Sequence, residues 1–510
     1  MKNQNKNIYR GLLILTFIGL NLLIVSAISQ VMSYLNTGAD KSKMLNLSLK
    51  SESVYKPYLI WSDTLNPSRP LEKPTKKRVA QDYLNAWYVR EVALSTGDRK
   101  GIDDYYTQSA RNKLDTLLNQ NINVKVKIEG TSLNHDLQLE FYSADGQFIS
   151  FTDNNVTEVK RIFSDNELIL EEKTSSSYRV IMLLEDGFWR IRQFVKIKSD
   201  EKSNTNIQPE STHSDLPLKG INYYPKDTPW DTFGEAFDPK ILKTDFEKIH
   251  ALGLNTIRIF VGYEDFGKAD VKPEKLEKLK ILMDLAEAEN LKVIITLFDF
   301  YGDYSVIDWS NTFKHARSIV MALKSHPALR AWDLKNEPNL DFGSRGEKLV
   351  LFWLKNHLEH LKAIDPETPV TIGWSTIESA SLLLDQVDLV SFHSYHGFEK
   401  FKTGFDDLKA KTTKPLMIQE FGLPTYSGIW NPFGPDEEEQ ADFYTEFLDF
   451  AKANNISYAL WTLYDFEEIP TSVVGRLPWR KAKQKHFGLI DKNGKNKASV
   501  NVIKQINGLN

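Results

Sequence analysis

Eight apolar runs of strand length alternate with helical patterns over residues 216–510, and this alternation limits the fold more than any other feature of the sequence. The predicted strands fall at residues 218–223, 256–260, 291–298, 329–335, 370–374, 387–393, 415–421 and 457–463. This count and size predict an α/β fold, a (β/α)₈ barrel. A doubly wound open sheet is the alternative, but no Gly-x-Gly-x-x-Gly turn follows the first strand.

Length and composition narrow the possibilities further. A chain of 510 residues is too long for one ordinary core, so at least two domains are expected. The net charge of -4 gives no reason to expect nucleic acid as a partner. The absence of cysteine excludes disulfide frameworks, zinc–thiolate sites and thiol catalysis.

The N-terminal 35 residues have the pattern of a membrane anchor. Lys2, Lys6 and Arg10 precede an apolar run at residues 11–28, which continues weakly to Leu35. The run approaches the roughly 20 residues that span a bilayer and exceeds the about 7 to 15 of a signal-peptide core. We therefore predict, for residues 1–35, a cytoplasmic tip and a transmembrane signal-anchor, with the rest of the chain outside, periplasmic or at the cell surface. The alternative is a secreted protein, with cleavage near Ser26 and Ala27.

The chain between the anchor and the barrel divides into three parts. Residues 36–77 are polar, contain four prolines and show no sustained period, which predicts an extended stalk. Residues 78–198 show two helical patterns followed by alternating strands, which predicts a small α+β domain with its helices on an antiparallel sheet. Residues 199–215 are almost without apolar side chains and predict a linker.

The order of elements in residues 78–198 resembles the nuclear transport factor 2-like cone fold. Thr96-Gly97-Asp98 follows the first helix, and Tyr105-Tyr106-Thr107 lies in the second. No His/Asp pair there has a spacing that suggests an enzyme. We therefore expect a spacer or a docking module for a protein partner.

Two predicted barrel strands end in a carboxylate. One strand runs into Asn336-Glu337-Pro338, where the proline stops the strand. The other carries Glu420 just before Gly422. The C-terminal ends of barrel strands meet at one face, and two glutamates there are the minimum needed to cleave a glycosidic bond.

Further motifs at strand ends resemble the clan A glycoside hydrolases, most closely glycoside hydrolase family 5. Arg258 ends the second strand in Thr-Ile-Arg-Ile-Phe, His393 and Tyr395 end the sixth, and Trp461 ends the eighth. Residues 486–495 are also similar to the closing segment of many of these enzymes.

The resemblance implies a role for each residue. Glu337 would be the acid/base and Glu420 the nucleophile, with Arg258, His393 and Tyr395 in support. Asn336 would bond the sugar 2-hydroxyl, and Trp461 would form a floor under the sugar. Where the family usually has a histidine, at the end of the third strand, this chain has Asp299, which leaves the substrate contact at that edge open.

Four tryptophans near the same face are candidates for stacking on sugars or for packing: Trp309, Trp374, Trp430 and Trp479. Asp299, Asp303 and Asp308 have a spacing that fits no known cation loop, so neither a metal nor a cofactor is expected.

Together these observations predict a membrane-tethered, retaining β-glycoside hydrolase acting on a β-linked glucan or mannan. Carboxyl groups about 5 to 5.5 Å apart would retain anomeric configuration, and about 6.5 to 9.5 Å would invert it. The alternatives are a transglycosylase of the same mechanism and a non-catalytic carbohydrate-binding or scaffold protein of a polysaccharide synthesis or export complex.

Overall fold

The computed structural model of the chain describes Leu13 and residues 15–28, 55–62, 70–200 and 217–509. Leu13 and residues 15–28 are helical. Among all the residues described, no helix combines the length and the apolar character that a bilayer crossing requires. The other residues of the predicted anchor, 1–12, 14 and 29–35, lie outside the described part of the chain.

The α+β domain is a six-stranded sheet with helices against it. Its strands are β1 Tyr58–Ser62, β2 Val126–Ser132, β3 Asn134–Tyr142, β4 Phe148–Ser164, β5 Glu167–Glu185 and β6 Phe188–Asp200. Its helices are Lys73–Thr96, Ile102–Tyr105 and Gln108–Asn123. The strands are ordered β1-β3-β4-β5-β6, and β2 pairs with β4. Apart from the parallel pair β1 and β3, the pairings are antiparallel.

The predicted stalk is wrong where the structure describes it. Strand β1 pairs with β3, with Tyr58 opposite Asn134, and the first helix already begins at Lys73. The domain therefore begins well before residue 78, because a strand partner far along the chain orders a segment that has no period of its own. Residues 36–54 and 63–69 of the stalk lie outside the described residues. So does the predicted linker from residue 201, while its first two residues end β6.

The second domain is a closed barrel of eight parallel strands, as predicted. The strands are β7 Lys219–Asn222, β8 Thr256–Gly262, β9 Lys292–Asp299, β10 Leu329–Asn336, β11 Val370–Trp374, β12 Val390–Ser394, β13 Leu416–Phe421 and β14 Ser457–Leu460. Each strand pairs with the next, and β14 closes on β7. Nearly every residue of these strands is buried, which is typical of parallel strands covered by helices.

The helices of this domain lie between the barrel strands in the chain or follow the last of them. They are Pro239–His250, Pro273–Ala288, Trp309–Leu323, Phe342–Arg345, Glu347–Ile364, Phe398–Lys409, Glu437–Ala453, Thr471–Val474, Pro478–Gln484 and Ser499–Ile506. Prolines at the first helical positions and a capping box, made by Asp436 and Glu439, begin several of them. The helix predicted from residue 378 is only a 3₁₀ turn, Ser379–Ser381.

The two domains pack against each other. Leu133 and Val159 of the α+β sheet belong to the same hydrophobic cluster as the barrel core. Lys173 forms an ion pair with Glu359 over 3.0 Å, and the backbone N–H of Lys56 donates to Ser310 over 3.1 Å. These contacts hold the α+β sheet against the outer helices of the barrel.

Candidate active site

Glu337 follows directly on the end of β10. Its backbone has a left-handed conformation, with φ 48°, and its N–H donates to the carbonyl oxygen of Gly373 over 2.6 Å. Such a conformation in a residue other than glycine costs about 1 kcal/mol or more and is typical of functional sites. The bend keeps the carboxylate at the barrel mouth, where 23% of the side chain is exposed.

Glu420 lies near the end of β13 and is almost completely buried. Nη1 of Arg258 donates to its Oε1 over 2.6 Å, and the hydroxyl of Tyr395 donates to its Oε2 over 2.9 Å. Each carboxylate oxygen therefore has a donor, which is a strong arrangement for stabilising a buried negative charge.

Arg258 connects the nucleophile candidate to the rest of the strand ends. Its Nε and Nη2 donate to Asp333, at 3.0 and 2.7 Å, and its Nη2 and Nη1 also reach Asn336 and Asn222, each at 3.0 Å. All five N–H groups of the guanidinium are thus used. Burial opposes the charge, but Asp333 and Glu420 offset it and raise the pKa of Arg258 above its ordinary value.

Tyr395 supports the same carboxylate from the solvent side. Although 40% of the residue is exposed, its hydroxyl lies at the inner end of the ring, close to both glutamates. Desolvation of the hydroxyl, together with Glu420 and Glu337, raises the pKa of Tyr395 well above its ordinary value. The hydroxyl therefore keeps its proton and acts as a donor.

His393 lies between the two carboxylates. Its Nδ1 is 2.9 Å from Oε1 of Glu337 and 3.4 Å from Oε2 of Glu420. One oxygen of each glutamate and a nitrogen of His393 lie within 4.8 Å of one another. The two acids therefore face each other across one gap.

These three side chains could in principle hold a metal ion, but their present partners favour hydrogen bonding. Both oxygens of Glu420 already accept from Arg258 and Tyr395, and a guanidinium so close opposes a second cation. A second group of possible ligands, Asp284, Glu287 and His326, lies near the opposite end of the barrel and is largely exposed.

A cavity of about 560 Å³ opens over the two glutamates, a size typical of small-ligand sites. Six of the residues predicted for the site line it: Asp299, Asn336, Glu337, Tyr395, Glu420 and Trp461. Arg258 and His393 lie buried immediately beneath it. The structure thus brings the predicted catalytic group together at one barrel mouth.

The four tryptophans that were candidates for stacking do not line this cavity. The prediction of substrate contact by Trp309 is wrong, because its side chain is fully buried and its Nε1 donates to the carbonyl oxygen of Tyr304. The prediction for Trp374 is wrong for the same reason, since only 2% of it is exposed. Trp430 and Trp479 lie beside the cavity, with ring centres 6.0 Å apart and Trp430 48% exposed.

Sequence reasoning missed several residues of the site. Tyr224 and Trp230, in the loop after β7, line the cavity. Asp333 anchors Arg258, and Gly373 leaves room for the Arg258, Gln419 and His393 side chains. The sequence carried no clear signal for them, since Asp333 is one of four polar residues in the strand Leu329–Asn336.

The α+β domain contains a hydrogen-bonded set of three polar side chains that its sequence did not suggest. His135 Nδ1 is 2.6 Å from Oδ2 of Asp153, and its Nε2 is 2.7 Å from the hydroxyl of Ser132. This order resembles a nucleophilic triad. Each of the three residues is at most 1% exposed, so a substrate cannot reach the serine and the set serves packing.

The barrel matches a family of known proteins. A family model described as Cellulase (glycosyl hydrolase family 5) matches residues 210–467. The β-glucuronidases of Chlorocebus aethiops and Homo sapiens are each 25% identical to this chain over 264 residues, which is 48% of this chain and 38% of theirs. The chain thus spans well under half the length of these curated relatives.

Solved structures with a similar fold include GH5_18 from Streptomyces cattleya in complex with GlcNAc. It is 19% identical, and the match covers 57% of this chain and 79% of that one, with a TM-score of 0.46. An exo-beta-1,4-mannosidase from Opitutaceae bacterium strain TAV5 is 18% identical over 57% of this chain and 59% of its own, with a TM-score of 0.47.

Proposed function

Because the chain belongs to glycosyl hydrolase family 5, we propose that it is a retaining β-glycoside hydrolase that cleaves a β-linked polysaccharide or oligosaccharide of the glucan or mannan type. Family membership makes the chain a glycoside hydrolase rather than a non-catalytic scaffold. The retaining mechanism, the class of sugar and the location of the enzyme are the parts that we propose.

The separation of the two acids carries the proposal of retention. Their nearest oxygens lie within 4.8 Å of each other. Retaining enzymes hold the two carboxyl groups about 5 to 5.5 Å apart, whereas inverting enzymes need about 6.5 to 9.5 Å to admit a water molecule between acid and base. The gap here suits direct attack by one carboxylate on the anomeric carbon.

Each glutamate is suited to one of the two roles. Glu420 accepts hydrogen bonds from Arg258 and Tyr395, which hold its carboxylate in place, so it attacks the anomeric carbon and forms a glycosyl-enzyme. Glu337 is reachable from solvent, so it protonates the leaving oxygen and then takes a proton from the water that resolves the intermediate.

The neighbours of the acids suit a bound sugar ring. Oδ1 of Asn336 accepts from Arg258 over 3.0 Å, which turns its amide N–H groups toward the cavity, where they can bond the 2-hydroxyl. Trp461 offers an apolar wall. The curated relatives are named β-glucuronidases, which supports a β-linked bond as the one cleaved.

The test is an assay of the full chain in a nonionic detergent against a panel of β-linked glucans, mannans and their oligosaccharides. On any substrate that the wild type cleaves, Glu420→Ala should lose at least about 10³-fold in kcat. The matched control is Glu446→Ala, which removes an exposed glutamate of an outer helix. Undiminished turnover by Glu420→Ala would reject the proposal.

The first product distinguishes the mechanisms. We expect NMR to show that the earliest product is the β-anomer, because double displacement restores the configuration of the anomeric carbon. An α-anomer as the first product would mean inversion. Lengthened oligosaccharides among the products would favour the transglycosylase, in which a sugar hydroxyl resolves the intermediate.

The proposal includes a membrane tether at the N-terminus. Its support is the apolar run at residues 11–28, preceded by Lys2, Lys6 and Arg10. We expect the full chain to remain in the membrane fraction after a carbonate wash, with the barrel accessible to protease added outside the cytoplasmic membrane. A soluble product that begins near Ala27 would instead mean that a signal peptide is removed.

A further inference from the structure

One side of the cavity mouth is strongly basic. The segment at residues 469–490 contains Arg476, Arg480, Lys481, Lys483 and Lys485 and no acidic residue, in a chain whose net charge is -4. It follows β14 and includes the helix Pro478–Gln484. Lys483 and its neighbour Gln484 line the cavity itself. We refer to Arg480, Lys481, Lys483 and Lys485 as the basic rim.

The basic rim has no counter-charge of its own. Among the residues that the structure describes, none of these four cations has a carboxylate within ion-pair distance; Lys481 instead donates to the hydroxyl of Thr471 over 2.8 Å. The catalytic carboxylates form no ion pair with these cations either, since Glu420 is paired with Arg258 and Glu337 contacts His393. The positive charge of the basic rim is therefore available to bind a negatively charged ligand.

The charge of the mouth is divided between its two sides. In the barrel order β14 lies opposite β10, so the basic rim faces the side on which β9 and β10 end. On that side the carboxylate of Asp299 lines the cavity. A ligand with a negative group is therefore attracted by one side of the mouth and repelled by the other, which fixes its orientation.

Aromatic side chains occur in the helix of the basic rim and in the loop after β13. Trp479 lies in the basic helix and contacts Trp430, and Phe433 of the loop after β13 is 99% exposed. Aromatic faces bind the apolar faces of sugar rings, while lysine and arginine bind carboxylate, sulfate or phosphate groups. The combination is suited to a sugar that carries an acidic group.

We propose that the basic rim is a subsite for an acidic sugar unit, so that the natural substrate is a β-linked glycan carrying uronate, or another anionic substituent, beside the cleaved bond. This deepens the proposed function and rests on it. An anionic membrane surface would also suit exposed cations and aromatics. The glycan is favoured because Lys483 lines the catalytic cavity, where a bilayer cannot reach.

The experiment compares paired oligosaccharides of one β-linked backbone, with and without a glucuronic acid residue, and a third set bearing sulfate esters. Binding and turnover are both measured with the full chain in nonionic detergent at low and high salt. We expect the wild type to prefer an acidic set, with a preference that falls as salt rises. Preference for the uronate or for the sulfate set identifies the anion.

Substitutions in the basic rim test whether it causes the preference for acidic substrates. Lys483→Gln should lower the ratio of kcat/KM for acidic over neutral substrate by about fivefold, the effect of one charge pair near a surface. The double variant Lys483→Gln/Arg480→Gln should lower the ratio of kcat/KM for acidic over neutral substrate further. Lys411→Gln, which removes an exposed lysine at the other end of the barrel, should leave both constants unchanged.

The outcomes separate this inference from the proposed function. Turnover with no preference for acidic substrates overturns the inference and leaves the hydrolase standing. Salt-dependent binding of acidic glycans without turnover supports the rim and rejects the proposed function. If Lys483→Gln instead abolishes sedimentation with phosphatidylglycerol-containing vesicles and no glycan preference exists, the rim faces a membrane and the inference is overturned.

Discussion

Nη1 of Arg258 lies 2.6 Å from Oε1 of Glu420, while Nη2 of the same guanidinium lies 2.7 Å from Oδ2 of Asp333. We expect Arg258→Lys to lower kcat/KM by about 10²-fold or more, because an ammonium cannot span both carboxylates and one of them would lose its paired positive charge. Steady-state kinetics and thermal unfolding should show loss of both activity and stability. Arg192→Lys, at an exposed arginine of the other domain, is the control, and activity within threefold of wild type would contradict the expectation.

Tyr395 should matter for rate and hardly for folding. Tyr395→Phe removes only the hydroxyl that donates to Oε2 of Glu420 over 2.9 Å. A hydrogen bond to a charged group is worth about 1.5 to 3 kcal/mol, so kcat should fall by roughly 10- to 150-fold. The melting temperature should stay near that of the wild type, since the ring remains and its edge is exposed. Tyr58→Phe, at an exposed tyrosine of β1, serves as the matched control, and a normal kcat for Tyr395→Phe would remove this hydroxyl from the mechanism.

The sequence predicts the parts of the site that are local in the chain. Glu337 and Glu420 are predictable because each ends a short apolar run, and a barrel gathers such ends at one face. Asp333 and Gly373 are not, since their importance arises only where neighbouring strands pack side by side. The same limit explains two errors: burial of Trp309 depends on helices that cover it, and β1 is ordered by its partner β3.

Gly373 is the position where a small change should have a large effect. A Cβ there would lie 2.5 Å from Oε1 of Gln419, 3.0 Å from Nη2 of Arg258 and 3.2 Å from Nε2 of His393. We expect Gly373→Ala to displace these buried side chains and to lower kcat by about 10²-fold, as a misplacement of about 1 Å can. The free energy of unfolding should also fall by about 1 to 3 kcal/mol, because the added methyl group overpacks this part of the core.

The control for Gly373 is Gly343→Ala, at an exposed glycine whose added Cβ meets nothing within 4 Å. That variant should keep the activity and the melting temperature of the wild type. If Gly373→Ala behaved in the same way, the packing of Arg258 and His393 would be looser than the structure indicates.

Asp308 should make the protein less stable as the pH rises. Burial raises its pKa to about 7, while Asn311 donates to Oδ1 over 2.8 Å and opposes the shift. An unfolded aspartate has a pKa of about 3.9, so between pH 4 and 7 the native state binds more protons than the unfolded state. Stability from this group is therefore complete below about pH 4 and is lost as the pH rises through 7, by roughly 2 to 4 kcal/mol in all.

Asp308→Asn removes that ionisation and keeps a similar shape. We expect the variant to gain more stability relative to the wild type at pH 8 than at pH 5, as measured by denaturant unfolding at both values. Two buried histidines act in the opposite direction, since burial lowers the pKa of His315 to about 4 and of His360 to about 3. Both histidines are present in the variant and in the wild type, so their effect cancels in the difference in stability between the two proteins. Asp442→Asn, at an exposed aspartate of an outer helix, should show no such pH-dependent gain; parallel pH profiles for Asp308→Asn and wild type would mean that Asp308 is already solvated and ionised in the native state.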